Sequence, residues 1–158
     1  MRIELWTLEK PKKGIQLSDI EDFVKRINHY TPFELKSIDN SKLAKAKTQA
    51  SEIKNVEEKL VFQNLDEGTF LVLFDEMGRQ STSIDFSKKM NQWQVSGIQK
   101  LVFLIGGSYG VSDGIKKRAN EVIALSSLTF PHRLVKWIAV EQIYRAFTIL
   151  KGEKYHHE

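Results

Sequence analysis

Cysteine is absent from the 158 residues, which excludes disulfides, thiolate catalysis and cysteine-ligated metals together. A reducing, cytoplasmic setting is the simplest expectation for such a chain. No apolar run approaches the roughly 18–20 residues of a membrane span. The opening Met1-Arg2-Ile3-Glu4-Leu5-Trp6 carries an acid, and no long apolar segment of the secretory kind follows it. Internal repeats and low-complexity linkers are also lacking. Hydrophobic residues make up 41% and charged residues 28%, enough to bury a core and keep a charged surface, and the length suits one domain. Charge is uneven. Residues 1–80 hold 13 bases and 14 acids, a net of −1, whereas residues 81–158 hold 11 bases and 6 acids, a net of +5. That excess suits a phosphate-bearing partner through long-range attraction, or is ordinary solvation.

Apolar spacing divides the chain. Residues 2–8, with Ile3, Leu5, Trp6 and Leu8, read as a strand. A basic loop with Lys10, Lys12 and Lys13 follows. Ser18 or Asp19 is placed to cap a helix bearing Ile20, Phe23, Val24 and Ile27. Thr31-Pro32 ends it, because the residue before proline avoids the helical region. Residues 33–38 are a second strand. Residues 41–64 predict one long amphipathic helix with Leu43, Ala46, Ala50, Ile53, Val56 and Leu60 on its apolar side. Residues 69–74 and 100–105 are near-continuous apolar runs, the pattern of strands buried on both faces. Between them lie a turn at Asp75-x-x-Gly78-Arg79 and a helix capped by Ser83 and ended by Gly97. A short helix from Asp113, a short strand at 121–125 and a last helix at 133–151 complete the pattern. Strands alternate with helices, so the predicted class is α/β, a mostly parallel sheet flanked by helices.

The last helix is apolar almost all round, from Leu134 and Trp137 through Ile138 and Ile143 to Phe147 and Leu150. One face can pack on the sheet. The other calls for a second cover, either more of the same chain or a partner subunit, and a homodimer is the expectation. Three segments are candidates for chemistry. The buried run Leu104-Ile105 leads into Gly106-Gly107-Ser108-Tyr109-Gly110, where small residues let backbone approach a ligand closely. Its spacing fits neither the dinucleotide fingerprint nor the P-loop, and the same glycines also make a plain tight turn. Ser126-Ser127-Leu128-Thr129-Phe130-Pro131-His132 offers hydroxyls and backbone amides ahead of the last helix, or simply caps it. Glu141 and Arg145 stand four apart, at salt-bridge spacing. The tail Tyr155-His156-His157 pairs histidines that point apart, so no metal site is expected.

Taken together, residues 105–110, residues 126–132, Glu141-Gln142-Ile143-Tyr144-Arg145-Ala146 and Tyr155-His156 resemble the bacterial ribosomal RNA large subunit methyltransferase H family. These are small members of the α/β-knot (SPOUT) class. The likeness spans the whole chain, includes Asp75-x-x-Gly78-Arg79, and is most specific after residue 100. It departs at Glu9, where the family usually has glycine, and at His157, where it usually has arginine or lysine. The resemblance implies a single SPOUT domain over residues 1–158, with a C-terminal trefoil knot and the cofactor site within about residues 100–158, and a homodimer. It implies S-adenosylmethionine as methyl donor and N3 of a pseudouridine in the helix 69 loop of 23S rRNA, met on the assembled ribosome, as acceptor. Carried over by position, cofactor contacts fall on Phe74, Gly106, Gly107, Ser126, Ser127, Leu128, Thr129, Phe130 and Pro131. His132, Arg145, Tyr155 and His156 fall near the acceptor. The chemistry itself requires the N3 proton to leave, to His132, His156 or water. Neither metal nor membrane is implied. The main alternative is a nucleotide- or RNA-binding dimer without catalysis, and the α/β pattern alone also allows a flavodoxin-like nucleotide-binding protein.

Overall fold

A computed structural model describes residues 1–9, 18–41 and 49–155. Its elements run β1 (Arg2–Leu8), α1 (Ser18–Ile27), β2 (Phe33–Ile38), α2 (Ala50–Asn64), β3 (Phe70–Gln80), α3 (Ser83–Val95), β4 (Lys100–Ile105), α4 (Asp113–Arg118), β5 (Glu121–Ala124) and α5 (His132–Lys151). The five strands form one sheet in the order β2-β1-β4-β3-β5, and every strand pair is parallel. The α/β class and parallel sheet read from the sequence are therefore present.

Alternation along the strands sorts the core into two layers. Ile3, Leu5, Val72, Phe74, Leu101, Phe103 and Ile105 face α1, α3 and α5. Trp6, Leu8, Leu71, Leu73, Val102 and Leu104 face α2 and α4, which contribute Val61 and Ile115. Leu71, Val72, Leu73 and the residues of β4 from Leu101 to Leu104 are fully enclosed, as strands covered by helices on both sides must be. Each such Leu, Val or Phe contributes about 1.5–3 kcal/mol by leaving water.

Three local expectations are corrected. The helix expected over 41–64 is not continuous: Gln49 is extended at φ −67° and ψ 152°, and α2 begins after it. Residues 42–48 lie outside the described residues, as do the basic loop and the side chains of Ser18 and Asp19. What is retained is the part whose stripe, ending in Leu60 and Val61, meets the sheet. The cap of α3 is Thr82, not Ser83. Thr82 Oγ1 accepts from the Asp85 amide at 3.1 Å, while Ser83 Oγ donates to Gln142 Oε1 at 2.8 Å and ties α3 to α5. The turn after residue 74 is a bulge within a longer strand. β3 pairs Phe74 with Ile123 and then Arg79 with the same Ile123, so residues 75–78 stand out of the ladder.

The last helix is covered more fully within its own chain than its composition suggests. Ala139, Val140, Ile143, Ala146 and Phe147 are buried in the cluster shared with α1 and α3. Leu134 remains 46% exposed. Trp137 stacks edge-on against Phe23 of α1 at 5.3 Å.

Gly78 closes the bulge against β5. A methyl group there would stand 2.7 Å from the Ile123 carbonyl carbon and 2.8 Å from the Ala124 amide nitrogen, both backbone atoms that cannot swing aside. Gly78→Ala is expected to cost about 1–3 kcal/mol. Gly68→Ala, in a position with no atom within 4 Å of the added carbon, is expected to cost less than about 1 kcal/mol. Urea denaturation of the two variants measures this difference, and equal midpoints contradict it.

Candidate functional site

Parallel strands place all their carboxyl ends on one edge of a sheet, where loops can open a crevice. Here a cavity of about 500 Å³ opens beyond β3, β4 and β5, within the size range of small-molecule sites. One wall is the loop after β4, from Gly106 to Val111. A second is the segment between β5 and α5, with Ser126, Leu128, Thr129 and Phe130. Phe74 and the bulge residues Asp75, Glu76 and Met77 supply a third side. His132 and Val135 enter from the first turn of α5, Lys54 from α2 and Lys116 from α4.

The loop after β4 is held by a tight turn, with the Gly110 amide donating to the Gly107 carbonyl at 2.9 Å. Gly110 sits at φ 75°, a conformation that disfavours a side chain. A methyl group on Gly106 would stand 2.8 Å from Val111 Cγ1. Ser126 Oγ accepts from the Leu128 amide at 2.9 Å, which turns the opposite wall. The Pro131 carbonyl accepts from the amides of Leu134 and Val135 at 2.8 and 3.1 Å and starts α5. Around the mouth, Met77 (84% exposed), Leu128 (68%) and Tyr109 (55%) form an apolar rim.

Among the residues expected at the cofactor, Phe74, Gly106, Gly107, Ser126, Leu128, Thr129 and Phe130 line this cavity together with His132. Ser127 and Pro131 are not part of the lining and are exposed beside it. Arg145 and Tyr155 lie elsewhere. At 1.5 Å per residue, the 13 residues from His132 to Arg145 on α5 span about 20 Å. Arg145 Nε donates to Glu141 Oε1 at 3.0 Å, Tyr155 OH donates to the same oxygen at 3.1 Å, and the guanidinium lies 4.9 Å from the centre of the Tyr155 ring. The hydrogen bond to Glu141 raises the Arg145 pKa. Burial first, then the Glu141 charge, raises that of Tyr155, so the phenol keeps its proton. His156 lies outside the described residues.

Glu57, a residue the sequence reading passed over, stands behind the glycine loop. It is 2% exposed. A methyl group on Gly107 would stand 2.5 Å from its Oε1, so a side chain there would have to displace the carboxyl. Asn40 Nδ2 donates to Glu57 Oε1 at 2.8 Å and to the Leu8 carbonyl at 3.0 Å. Oε2 has no hydrogen-bond partner among the described residues. The available signal was spacing: Glu57 falls on the stripe Ile53, Glu57, Val61, an acid at a core position. Glu9, also unexplained by the sequence, accepts from Lys136 Nζ at 2.6 Å. Burial opposes its charge, but Lys136 prevails and holds its pKa below the usual range.

The chain matches the family described as "Predicted SPOUT methyltransferase" over residues 1–156. A relative from Cytophaga hutchinsonii, "Ribosomal RNA large subunit methyltransferase H", is 43% identical over 157 residues, covering 99% of this chain and 100% of that one. One of the same description from Parabacteroides distasonis is 40% identical over 158 residues, 100% of both chains. The solved structure of the SpoU methyltransferase AviRb from Streptomyces viridochromogenes, in complex with the cofactor AdoMet, covers 95% of this chain and 60% of its own length. Its TM-score is 0.45 and its identity 9%.

Burial raises the Glu57 pKa, opposed only in part by the Asn40 amide. A carboxyl of this kind keeps its proton to higher pH in the folded chain than in the unfolded one. Folding is then favoured below the ordinary carboxyl range and loses that advantage as pH rises toward the raised value. Glu57→Gln keeps the shape and removes the ionisation. It is expected to melt above the wild type at neutral pH, with the gap closing near about pH 4. Melting curves at the two pH values check this, and a gap independent of pH contradicts it.

Proposed function

This chain belongs to the SPOUT methyltransferase family and, within it, to the ribosomal RNA large subunit methyltransferase H relatives, and on that premise we propose that it methylates N3 of a pseudouridine in the helix 69 loop of 23S rRNA, as a homodimer acting on the assembled ribosome. The donor is S-adenosylmethionine. The observation that carries this reading is the cavity of about 500 Å³ at the carboxyl ends of three parallel strands, walled by Gly106 and Gly107 on one side and by Ser126, Leu128, Thr129 and Phe130 on the other.

The residues present fit the donor. Gly106 and Gly107 bring bare backbone to the cavity, and the turn at Ser126 and Leu128 leaves peptide groups along the facing wall to hold an adenine by its edge. Phe74 lies against its floor. Bound there, S-adenosylmethionine supplies an electrophilic methyl group on a sulfonium. The protein's contribution is to hold donor and acceptor at reacting distance, an effect worth up to roughly 7–11 kcal/mol. His132, half-buried in the cavity wall, takes the N3 proton of the base. The apolar rim of Met77, Tyr109 and Leu128 receives the extruded base, with Tyr109 offering a ring to stack on.

The length of α5 supports the dimer reading. Arg145 lies about 20 Å along the helix from the His132 end, Tyr155 is bound to the same Glu141, and neither lines the cavity of its own subunit. An isologous pairing that sets two α5 helices side by side in opposite directions brings the Arg145 end of one subunit to the cavity of the other. The exposed Leu134 and half-buried Ile138 give that pairing apolar surface. The net +5 of residues 81–158 suits the phosphates around the acceptor. The trefoil knot and the single-domain reading of residues 1–158 are part of the same proposal.

Transfer of labelled methyl groups to whole ribosomes, compared with free rRNA, tests this function. Transfer to ribosomes is expected, and transfer to neither substrate refutes the proposal. Arg145→Ala is expected to lower transfer by about 10²–10⁴-fold while donor affinity changes by less than about twofold. Parallel loss of donor binding would remove Arg145 from the acceptor side.

A further inference from the structure

The wall behind Gly107 contains a group that the scheme above leaves idle. Gly107 lines the cavity, while Glu57 does not. The Glu57 carboxyl presses on Gly107 from behind, with its two oxygens 2.5 and 2.7 Å from where a methyl group on that glycine would stand. A carboxyl therefore sits one peptide layer from whatever occupies the cavity. Oε1 accepts from Asn40 at 2.8 Å, and the buried Oε2 has no hydrogen-bond partner among the described residues. No ion pair to Glu57 is formed among the described residues, where burial raises its pKa and the Asn40 amide opposes that.

A buried carboxylate without a counter-charge is costly. A cation arriving on the far side of the loop offsets that cost, and a neutral ligand does not. In methyl transfer from S-adenosylmethionine, the sulfonium–methyl bond breaks and its electron pair stays on sulfur. The donor enters as a cation and the product remains as a neutral thioether. We infer that Glu57 is a positioning residue whose negative charge, acting through the peptide layer at Gly107, favours the cationic donor over the neutral product. The inference rests on the methyltransferase reading and adds to it a means of holding the donor and releasing the spent product. At an effective dielectric near 20, attraction across one peptide layer amounts to on the order of tenfold in affinity.

Isothermal titration of the full chain with S-adenosylmethionine and S-adenosylhomocysteine at about pH 8 reads the effect directly. In Glu57→Gln, donor affinity is expected to fall on the order of tenfold relative to wild type, and product affinity to change by less than about twofold. Glu57→Asp, which keeps the charge on a shorter arm, is expected to retain most of the donor preference. Equal weakening of both ligands means that the side chain only props the loop, and overturns the inference. So does an unchanged donor-to-product ratio in Glu57→Gln, or a preference lost equally in both variants. A wild type that binds neither ligand overturns the methyltransferase reading along with it.

Discussion

Where β3 bulges past β5, the two backbones lie so close that Gly78 has room for nothing larger than hydrogen. The cavity depends on that contact. Because Ile123 pairs with both Phe74 and Arg79, residues 75–78 are pushed out of the ladder. They carry Asp75, Glu76 and Met77 to the cavity edge without breaking the sheet. β5 is thereby fixed at the sheet margin, and the segment after it is delivered opposite the glycine loop of β4. Removal of a side chain at one position thus sets the distance between the two walls of the site.

A second constraint acts from behind. Proteins rarely enclose a carboxyl unless it is paired, yet Glu57 is enclosed with one oxygen satisfied by Asn40 and the other without a partner among the described residues. Asn40 also binds the Leu8 carbonyl, so the end of β1, the start of the segment after β2, and α2 meet at this carboxyl. Gly107 completes the contact on the cavity side. Polar groups left imperfectly satisfied cluster at sites that act on ligands, and this carboxyl lies beside the loop that forms the cavity wall.

The helix α5 joins two chemically distinct ends. Its first turn places His132 and Val135 in the cavity wall. Its later turns organise Glu141, Arg145 and Tyr155 into a compact cluster in which one carboxylate oxygen accepts from both guanidinium and phenol. A rigid rod is well suited to hold such groups at a fixed separation, and that separation gives the proposed dimer its purpose.

Much of the fold was legible before any coordinates. The apolar runs at 69–74 and 100–105 read as buried strands, and their alternation with helices pointed to a mostly parallel sheet. The glycines after Ile105 and the polar stretch at 126–132 marked the two cavity walls. These signals are local: periodicity and glycine content act within a few residues and survive reading in one dimension. The rest was not local. A polar sequence at 75–79 hides a strand that continues, because its pairing partner Ile123 is remote in the chain. Ser83 looks like the cap of α3, yet its hydroxyl is engaged by Gln142 on another helix. Composition shows that the last helix needs cover on more than one side, but not that α1 and α3 supply much of it. Arg145 reads as a neighbour of His132 in function, and only the rise of the helix separates them. Glu57 is one acid among many until tertiary packing places it under Gly107. Composition and spacing determined which elements form and which loops are open; which remote groups meet was decided by the packing of those elements across the sheet.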